Sequence, residues 1–389
     1  MRIALKSLGR IITGNTPSKS KLEYWNSKDI RFVKPDIMPD NKVADIYETK
    51  EFISEAARSK SRIVGEDTIF VTCIGSIGKI GIATKGEFAF NQQINALIPN
   101  SKVCPKYLAY ALLNAKPRLT ATANAPIVPI INKSQFGNFE INISGSIEAQ
   151  TKIVEILDRI EVVIAQQNHR LYLLDELIKS RFVEMFGDTL LNTKGWTENS
   201  LESLADIVSG ITKGRKVKEG NLTEVPYMAV SNVKDGHIDW TTVKRIMATR
   251  QEISQYRLQS DDVLMTEGGD PDKVGRGAII KNPPINCIHQ NHIFRVRLDE
   301  GNILPTYFAE YLQHQKAKRY FLGCAKQTTG IASINMRQLK SLPVLLPPLE
   351  LQNRFAAFVA EVDKSKVAVQ KALDEAQLLF DSLMQKYFG

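Results

Sequence analysis

Lys152-Ile153-Val154-Glu155-Ile156-Leu157-Asp158-Arg159-Ile160-Glu161-Val162-Val163-Ile164 places apolar side chains alternately four and three positions apart, at Ile153, Leu157, Ile160 and Ile164. The spacing runs on through Gln167, Leu171, Leu174 and Ile178, and no proline or glycine falls between Glu148 and Phe186. Adding 202 to each position gives Phe355, Val359, Val362, Lys366, Val369, Leu373, Ala376 and Phe380, inside a second uninterrupted run from Glu350 to Phe388. Apolar positions repeating over four heptads mark a helix that packs its stripe on another helix, and two matched stripes in one chain predict that they pair with each other. Pro347-Pro348 stand where the second helix would start, and Gly187 and Gly389 stand where the two would end. The first helix leads from one region into the next and the second starts beyond that region, so the pair is expected to run antiparallel. A 39-residue helix spans roughly 58 Å. Gln167 and Lys366 interrupt the stripes near their centres, where facing each other would fix the register.

What precedes each helix also repeats. Leu5-Lys6-Ser7-Leu8 returns as Leu201-Glu202-Ser203-Leu204, and Thr13-Gly14-Asn15-Thr16 as Ser209-Gly210-Ile211-Thr212. Ile30-Arg31-Phe32-Val33 matches Val225-Pro226-Tyr227-Met228, and Asp67 to Thr72 matches Asp261 to Thr266. The glycine-rich loops that follow end in Lys79-Ile80-Gly81 and Lys273-Val274-Gly275. Asn91-Gln92-Gln93 corresponds to His289-Gln290-Asn291, and Tyr107 to Tyr307. Each copy holds short β-rich runs broken by Gly, Pro and Asn, then a short helical stretch, then a long helix. The expected fold is α+β: two similar mixed α/β domains, residues 1–146 and 188–347, joined by long antiparallel coiled-coil helices at 147–187 and 348–389, with a pseudo-two-fold internal repeat.

The 389 residues suit two or three domains, and 43% hydrophobic with 24% charged residues is ordinary for a folded soluble chain. No run approaches the ~20 apolar residues of a membrane span, and Met1 to Lys6 leads into no apolar signal core, so a cytoplasmic protein without membrane contact is expected. Cys73, Cys104, Cys287 and Cys324 lie far apart, as reduced thiols would. Fifty-one Lys and Arg against 42 acids, a net charge of +9, permit a polyanionic partner.

Several sequences imitate catalytic motifs. Asn282-Pro283-Pro284 resembles the turn of amino-methyltransferases, but Ile285 follows where an aromatic would stack on a flipped base. Asp40 and Glu48-Thr49-Lys50 form a nuclease-like carboxylate–lysine set that the second copy lacks, and are expected to be solvated loop charges. Gly78-Lys79 ends no P-loop, because Cys73 stands where that motif needs glycine and Ile80 where it needs Ser or Thr. Cys287, His289 and His292 lack a fourth ligand, so no metal site is expected. A duplicated architecture without a duplicated catalytic set points to a binder with no catalytic residues and no cofactor of its own.

Two similar domains suit two half-sites on one polymer, and the recurring loops carry residues that approach phosphates and read base edges. The candidates are Thr16, Ser18, Lys19, Ser76, Lys79 and Gln92 in the first copy. In the second they are Thr212, Lys213, Arg215, Lys216, Lys273, Arg276, Gln290 and Asn291.

These features together resemble the DNA-specificity subunit of a type I restriction–modification system over essentially the whole chain. The carriers are Asp67 to Gly81 with its Thr-x-x-Gly-x-x-Gly-Lys loop, Asp262 to Asp270, Leu346-Pro347-Pro348-Leu349-Glu350-Leu351-Gln352, and the endings Arg181 to Gly187 and Ser382 to Gly389. Ser144-Gly145-Ser146 before the first long helix departs from the Pro-Pro form. The resemblance implies two target-recognition domains, each reading half of a bipartite asymmetric site on double-stranded DNA. It also implies a helical spacer that docks two methyltransferase subunits. Those subunits would bind S-adenosylmethionine and methylate adenine; translocating restriction subunits, where present, would use ATP and Mg²⁺. The alternatives are a stand-alone DNA methyltransferase or nuclease with a related recognition domain, and a scaffold that does not bind DNA.

Overall fold

The structure is a computed structural model, and it describes residues 2–123, 128–143, 145–215, 221–269, 274–328 and 331–389. The chain divides into two units. The first holds residues 1–168 and 371–389; the second holds 169–370. Ile147–Phe186 and Leu349–Phe388 are each one unbroken helix of 40 residues, here called the central and the C-terminal helix. Each unit therefore owns half of each long helix.

In the first unit Ile69–Thr72, a β-branched run buried on both faces, sits inside a five-stranded sheet. The strand order is Gly9–Thr13, Ile94–Pro99, Ile69–Thr72, Ile80–Ala83 and Val43–Ile46, antiparallel except for the last pair. A second sheet sets Ile30–Val33 parallel to Phe88–Phe90, flanked by Glu51–Ile53 and Ile63–Val64. Arg2–Ala4 pairs with Glu140–Asn142, the strand that leads into the central helix.

The second unit repeats this plan. Ala205–Ser209, Ile293–Leu298, Val263–Thr266 and Gly277–Ile279 form its main sheet. Leu222–Met228 lies parallel to Ile288–His289, and Thr197–Ser200 pairs with Pro343–Leu346 before the C-terminal helix. Asp67 and Asp261 both take the left-handed conformation ahead of the central strands (φ 61° and 72°), which Asp tolerates better than most side chains. Gly14 and Gly210 cross the parallel pair so closely that a Cβ would stand 2.1 Å from Asn91 O and 2.0 Å from His289 O. Only glycine fits there.

Strand register corrects two of the expected pairings. Thr72 N donates to Lys79 O (3.1 Å) as Thr266 N donates to Arg276 O (3.1 Å), so Lys79 corresponds to Arg276, not Lys273. Gly78 then corresponds to Gly275, and both adopt positive φ (79° and 73°). Ile94 N donates to Asn91 O as Ile293 N donates to Gln290 O, so Asn91-Gln92-Gln93 matches Gln290-Asn291-His292. Six residues separate Thr72 from Lys79 and nine separate Thr266 from Arg276. Counting from the strand before the loop missed that insertion.

The long helices complete both cores. In the first unit Val154 and Leu157 of the central helix join Phe380, Met384 and Phe388 of the C-terminal helix around Tyr107 and Tyr110; Ile153, Ile160 and Ile164 pack at the edge. Phe388 meets Tyr107 at 4.9 Å between ring centroids. In the second unit Ile178, Phe182 and Phe186 join Phe355 and Val362 around Tyr307, with Leu174 and Val359 alongside; Phe186 meets Tyr307 at 4.8 Å. Within each unit the two half-helices pair antiparallel along this stripe. Leu171 and Leu373 are half-buried, Gln167 is buried, and Lys366 reaches Asp175 of the central helix at 2.6 Å.

One polar device recurs without having been expected. Gln150 and Gln352 are fully buried, and their Oε1 atoms accept from the amides of Cys104 and Leu304, each at 2.8 Å. Those amides cap the short helices Pro105–Asn114 and Pro305–Tyr311, so each long helix is fixed to its globule by a satisfied buried bond. Among the described residues no helix is long and apolar enough to cross a membrane.

Candidate nucleic-acid interface

Four loops converge at one edge of each unit. In the first, Asn15 N donates to Phe90 O (3.0 Å), Cys73 N to Gln93 O (2.7 Å) and Ile131 N to Cys73 O (2.8 Å). Thr16 Oγ1 donates to Gln92 Oε1 at 2.7 Å, joining two of the expected site residues. Ser76 is exposed on the glycine-rich loop beside them. Ser18 and Lys19 lie further out: Ser18 O accepts from the Trp25 indole, and Lys19 Nζ stands 5.7 Å from the centre of the Trp25 ring while remaining largely exposed.

Lys79 does not present a free cation. Its side chain is mostly buried and lies 3.5 Å from Asp40, a carboxylate it shares with Lys116. The other nuclease-like charges are exposed: Lys50 (73%) pairs with Asp36 at 2.8 Å, and Glu48 (75%) lies 3.8 Å from Arg31.

In the second unit Ile211 N donates to His289 O (2.8 Å), Glu267 N to His292 O (3.0 Å) and Ile334 N to Glu267 O (2.8 Å), repeating the convergence. Thr212 and Lys213 are exposed next to it. Gln290 Oε1 accepts weakly from Val230 N (3.4 Å), and Asn291 O accepts from Ser209 Oγ (2.7 Å), so these two loop residues are locked through their neighbours. Arg276 is half-buried, and its Nε has no partner among the described residues. Lys216 and Lys273 lie outside the described residues. Arg215 is committed elsewhere: it grips Glu252 in two bonds of 2.6 and 2.7 Å, and this hydrogen bonding holds the Glu252 carboxyl down to about 2.

The Cys/His group is divided by burial. Burial drives His289 down to about 4; Nδ1 stands 3.1 Å from Tyr256 O and Nε2 3.3 Å from Val208 O, and the neutral ring, with one N–H, donates to one of these carbonyls only. Burial also pushes the Cys287 thiol up to about 12, which leaves it a core side chain. His292 stands outside, its Nδ1 2.5 Å from Glu267 Oε2. Among the described residues no three His, Cys, Asp or Glu side chains gather as a metal would need.

Glu267 and His292 are further candidate site residues; the sequence pointed to His292 only as a metal ligand and to Glu267 not at all as a contact. With Val230, Gly268 and Ser333 they line a notch of about 320 Å³ at the loop edge. Their structural equivalents in the first unit are Cys73 and Gln93, so the same backbone cradle carries a carboxylate–imidazole pair in one copy and a thiol and amide in the other. A carboxylate can accept from an exocyclic base amine, and an amide can both donate and accept. The signal was available only after the one-residue shift that aligns Gln93 with His292.

A family model described as type I restriction modification DNA specificity domain matches residues 1–173 and again 193–376. The chain is 23% identical to the type I restriction enzyme EcoKI specificity subunit of Escherichia coli (strain K12), over 94% of this chain and 84% of that one. It is 24% identical to the StySPI specificity subunit of Salmonella potsdam, over the same shares of 94% and 84%. With the MjaX specificity subunit of Methanocaldococcus jannaschii the identity is 29% over half of this chain, and the match spans only 45% of that protein. Among solved structures, the S subunit of a type I restriction–modification system from M. genitalium shares the fold with a TM-score of 0.58 at 16% identity, covering 100% of this chain and 96% of that one.

Proposed function

Because the chain belongs to the type I restriction–modification DNA specificity family, we propose that each of its two units reads one half of a bipartite asymmetric DNA site. The chain is a specificity subunit and not itself an enzyme. One observation carries the two-half reading: the same four-loop cradle occurs twice, with Thr16, Gln92, Gln93 and Cys73 in one copy against Thr212, Asn291, His292 and Glu267 in the other. A shared backbone with exchanged hydrogen-bonding groups is what two reading heads of different sequence preference require.

In this reading the chain docks two methyltransferase subunits in the cytoplasm, and they supply S-adenosylmethionine and transfer methyl to adenine. ATP and Mg²⁺ belong to translocating restriction subunits where these join. The domain limits that follow are residues 1–146 and 188–347 for the reading heads, with 147–187 and 348–389 as spacer and docking surface.

Incubated alone with DNA and labelled S-adenosylmethionine, the chain is expected to transfer no methyl group until a methyltransferase subunit is added; transfer by the chain alone would favour the stand-alone enzyme. Exchanging residues 1–146 for those of a relative is expected to change one half of the methylated motif and leave the other as it was. Mapping of methylated adenines reads the outcome directly. A change in both halves would end the modular reading, and binding indifferent to DNA would favour the scaffold.

A further inference from the structure

A surface closed in the first unit stands open in the second. In the first, Lys106 Nζ lies between Asp45 (3.1 Å) and Asp158 (3.2 Å), and Tyr110 Oη sits 2.7 Å from Asp158 and 3.0 Å from Glu161. This cluster ties the short helix Pro105–Asn114 and the outermost strand Val43–Ile46 to the central helix. Aligning Tyr107 with Tyr307 and Gln150 with Gln352 puts Thr306, Glu310, Ala360 and Asp363 at the positions of Lys106, Tyr110, Asp158 and Glu161. The fifth strand has no counterpart among the described residues. Beside the edge strand Gly277–Ile279 runs instead the turn Asp235–Trp240, tied to it by Gly236 N donating to Gly277 O (3.1 Å). Loss of the lysine, the tyrosine and the strand leaves a cleft of about 1140 Å³, lined wholly by residues of the second unit.

The lining carries four lysines and four carboxylates, but they are unevenly paired. Its lysines are already matched: Lys366 by Asp175 (2.6 Å) and Asp363 (3.7 Å), Lys364 by Glu361 (2.7 Å), Lys179 by Glu176 (2.8 Å) and Lys281 by Asp261. Glu310 Oε1 and Gln313 Nε2, both on the lining, are buried without a hydrogen-bond partner among the described residues. His314 Nε2 approaches Glu310 Oε1 to 3.3 Å but also makes no hydrogen bond there. A buried carboxylate oxygen left unpaired is costly, and a cation is the partner that would relieve it. At the lip Val367 is 71% and Trp240 38% exposed. An apolar rim around a desolvated charged centre is the anatomy of a protein interface. A small free cation would cover none of that rim.

We propose that this cleft receives a lysine or arginine side chain of a methyltransferase subunit, whose cation takes in the second unit the place that Lys106 fills in the first. The inference rests on the reading that the chain docks such subunits, and it makes their two docking faces unequal. Glu310 is the anchoring carboxylate; Asp363 on the same wall is already held by Lys366 (3.7 Å).

The combined substitutions Thr306→Lys, Glu310→Tyr and Ala360→Asp rebuild the first unit's cluster inside the second. Titration of the purified methyltransferase subunit into the full-length chain, followed by calorimetry and native mass spectrometry, is expected to show two copies bound by the wild type. The triple variant, melting no lower than the wild type, should keep one binding step and weaken the other about ten-fold or more. Glu310→Gln should weaken that same step, and it decides the matter if the triple variant fails to fold. Unchanged affinity and stoichiometry in the folded variants would overturn the proposal. So would stabilisation of the wild type, and not the triple variant, by millimolar argininamide with docking unaffected, since that marks a small-cation site. Absence of any binding by the wild-type chain is a different result: it removes the docking reading itself, and this inference with it.

Discussion

A chain ending at Phe380 is expected to lose the folded state of its first unit while the second remains intact. The last nine residues carry Met384 and Phe388, both 5% exposed, together with Leu383 and Tyr387 packed against the same core. Truncating a buried Phe costs about 3–5 kcal/mol and a buried Met about 2–5. Their joint removal, on the order of 5–10 kcal/mol, is comparable with the whole stability of an ordinary domain, about 5–15 kcal/mol. The residues at stake lie in the segment 371–389, which belongs to the first unit although residues 169–370 separate it in sequence from the rest of that unit. Limited proteolysis with mass spectrometry should find cuts throughout residues 2–143 and protection across 197–346. Phe388→Ala alone should lower the stability of the first unit by about 3–5 kcal/mol, and Phe186→Ala should do the same to the second. Full protection of the first unit in the truncated chain would show that the helix end is dispensable.

Lengthening both long helices together is expected to change the DNA motif without changing either half of it. Four residues inserted after Gln167 and four after Val369 add about one turn each, roughly 6 Å. At about 3.4 Å per base pair this is close to two extra base pairs between the half-sites, with a rotation that the DNA twist must absorb. The insertion points fall beside the limits of the units, at Asn168 and Gln370, so the helix halves packed inside each unit keep their contacts. A four-residue insertion also approximately preserves the stripe as a stutter. Extending only one helix should mispair the stripes and impair assembly. Genome-wide mapping of methylated adenines in the doubly extended strain gives the spacing, and half-sites at their original separation in an active variant would show that the helices do not set it.

The long helices were legible because seven-residue periodicity is local: Leu157, Val362 and Phe380 declare their burial through neighbours three and four positions away. The sheet strands were legible for the same reason, since Ile69-Phe70-Val71 and Val263-Leu264-Met265 are continuous apolar runs. Loop register was not. It depends on which carbonyl an amide reaches across the sheet, and an insertion between Thr266 and Arg276 is silent until Thr266 N is seen to meet Arg276 O. Charge availability was equally hidden. Lys79 and Arg215 look like free cations in sequence, yet their partners Asp40 and Glu252 lie 39 and 37 positions away and are brought near only by folding. Gln150 and Gln352 were passed over because a polar residue at a helix start usually faces water, whereas here each meets one amide left open by the turn before a proline.

Arg2 and Gly389 lie against the same strand of the first unit. Arg2 is paired with Asn142, whose Nδ2 stands 3.5 Å from the backbone oxygen of Gly389. In the second unit the equivalent gap, from Phe186 at the helix end to Thr197 on the strand, is bridged by the covalent segment 187–196. Arg2 and Gly389 thus flank the Glu140–Asn142 strand of the first unit, where in the second unit a covalent segment runs from helix to strand. A permuted variant that begins inside 187–196, with residue 389 joined to residue 2 through a segment of similar length, is therefore expected to keep both cores, which thermal melting and limited proteolysis would read.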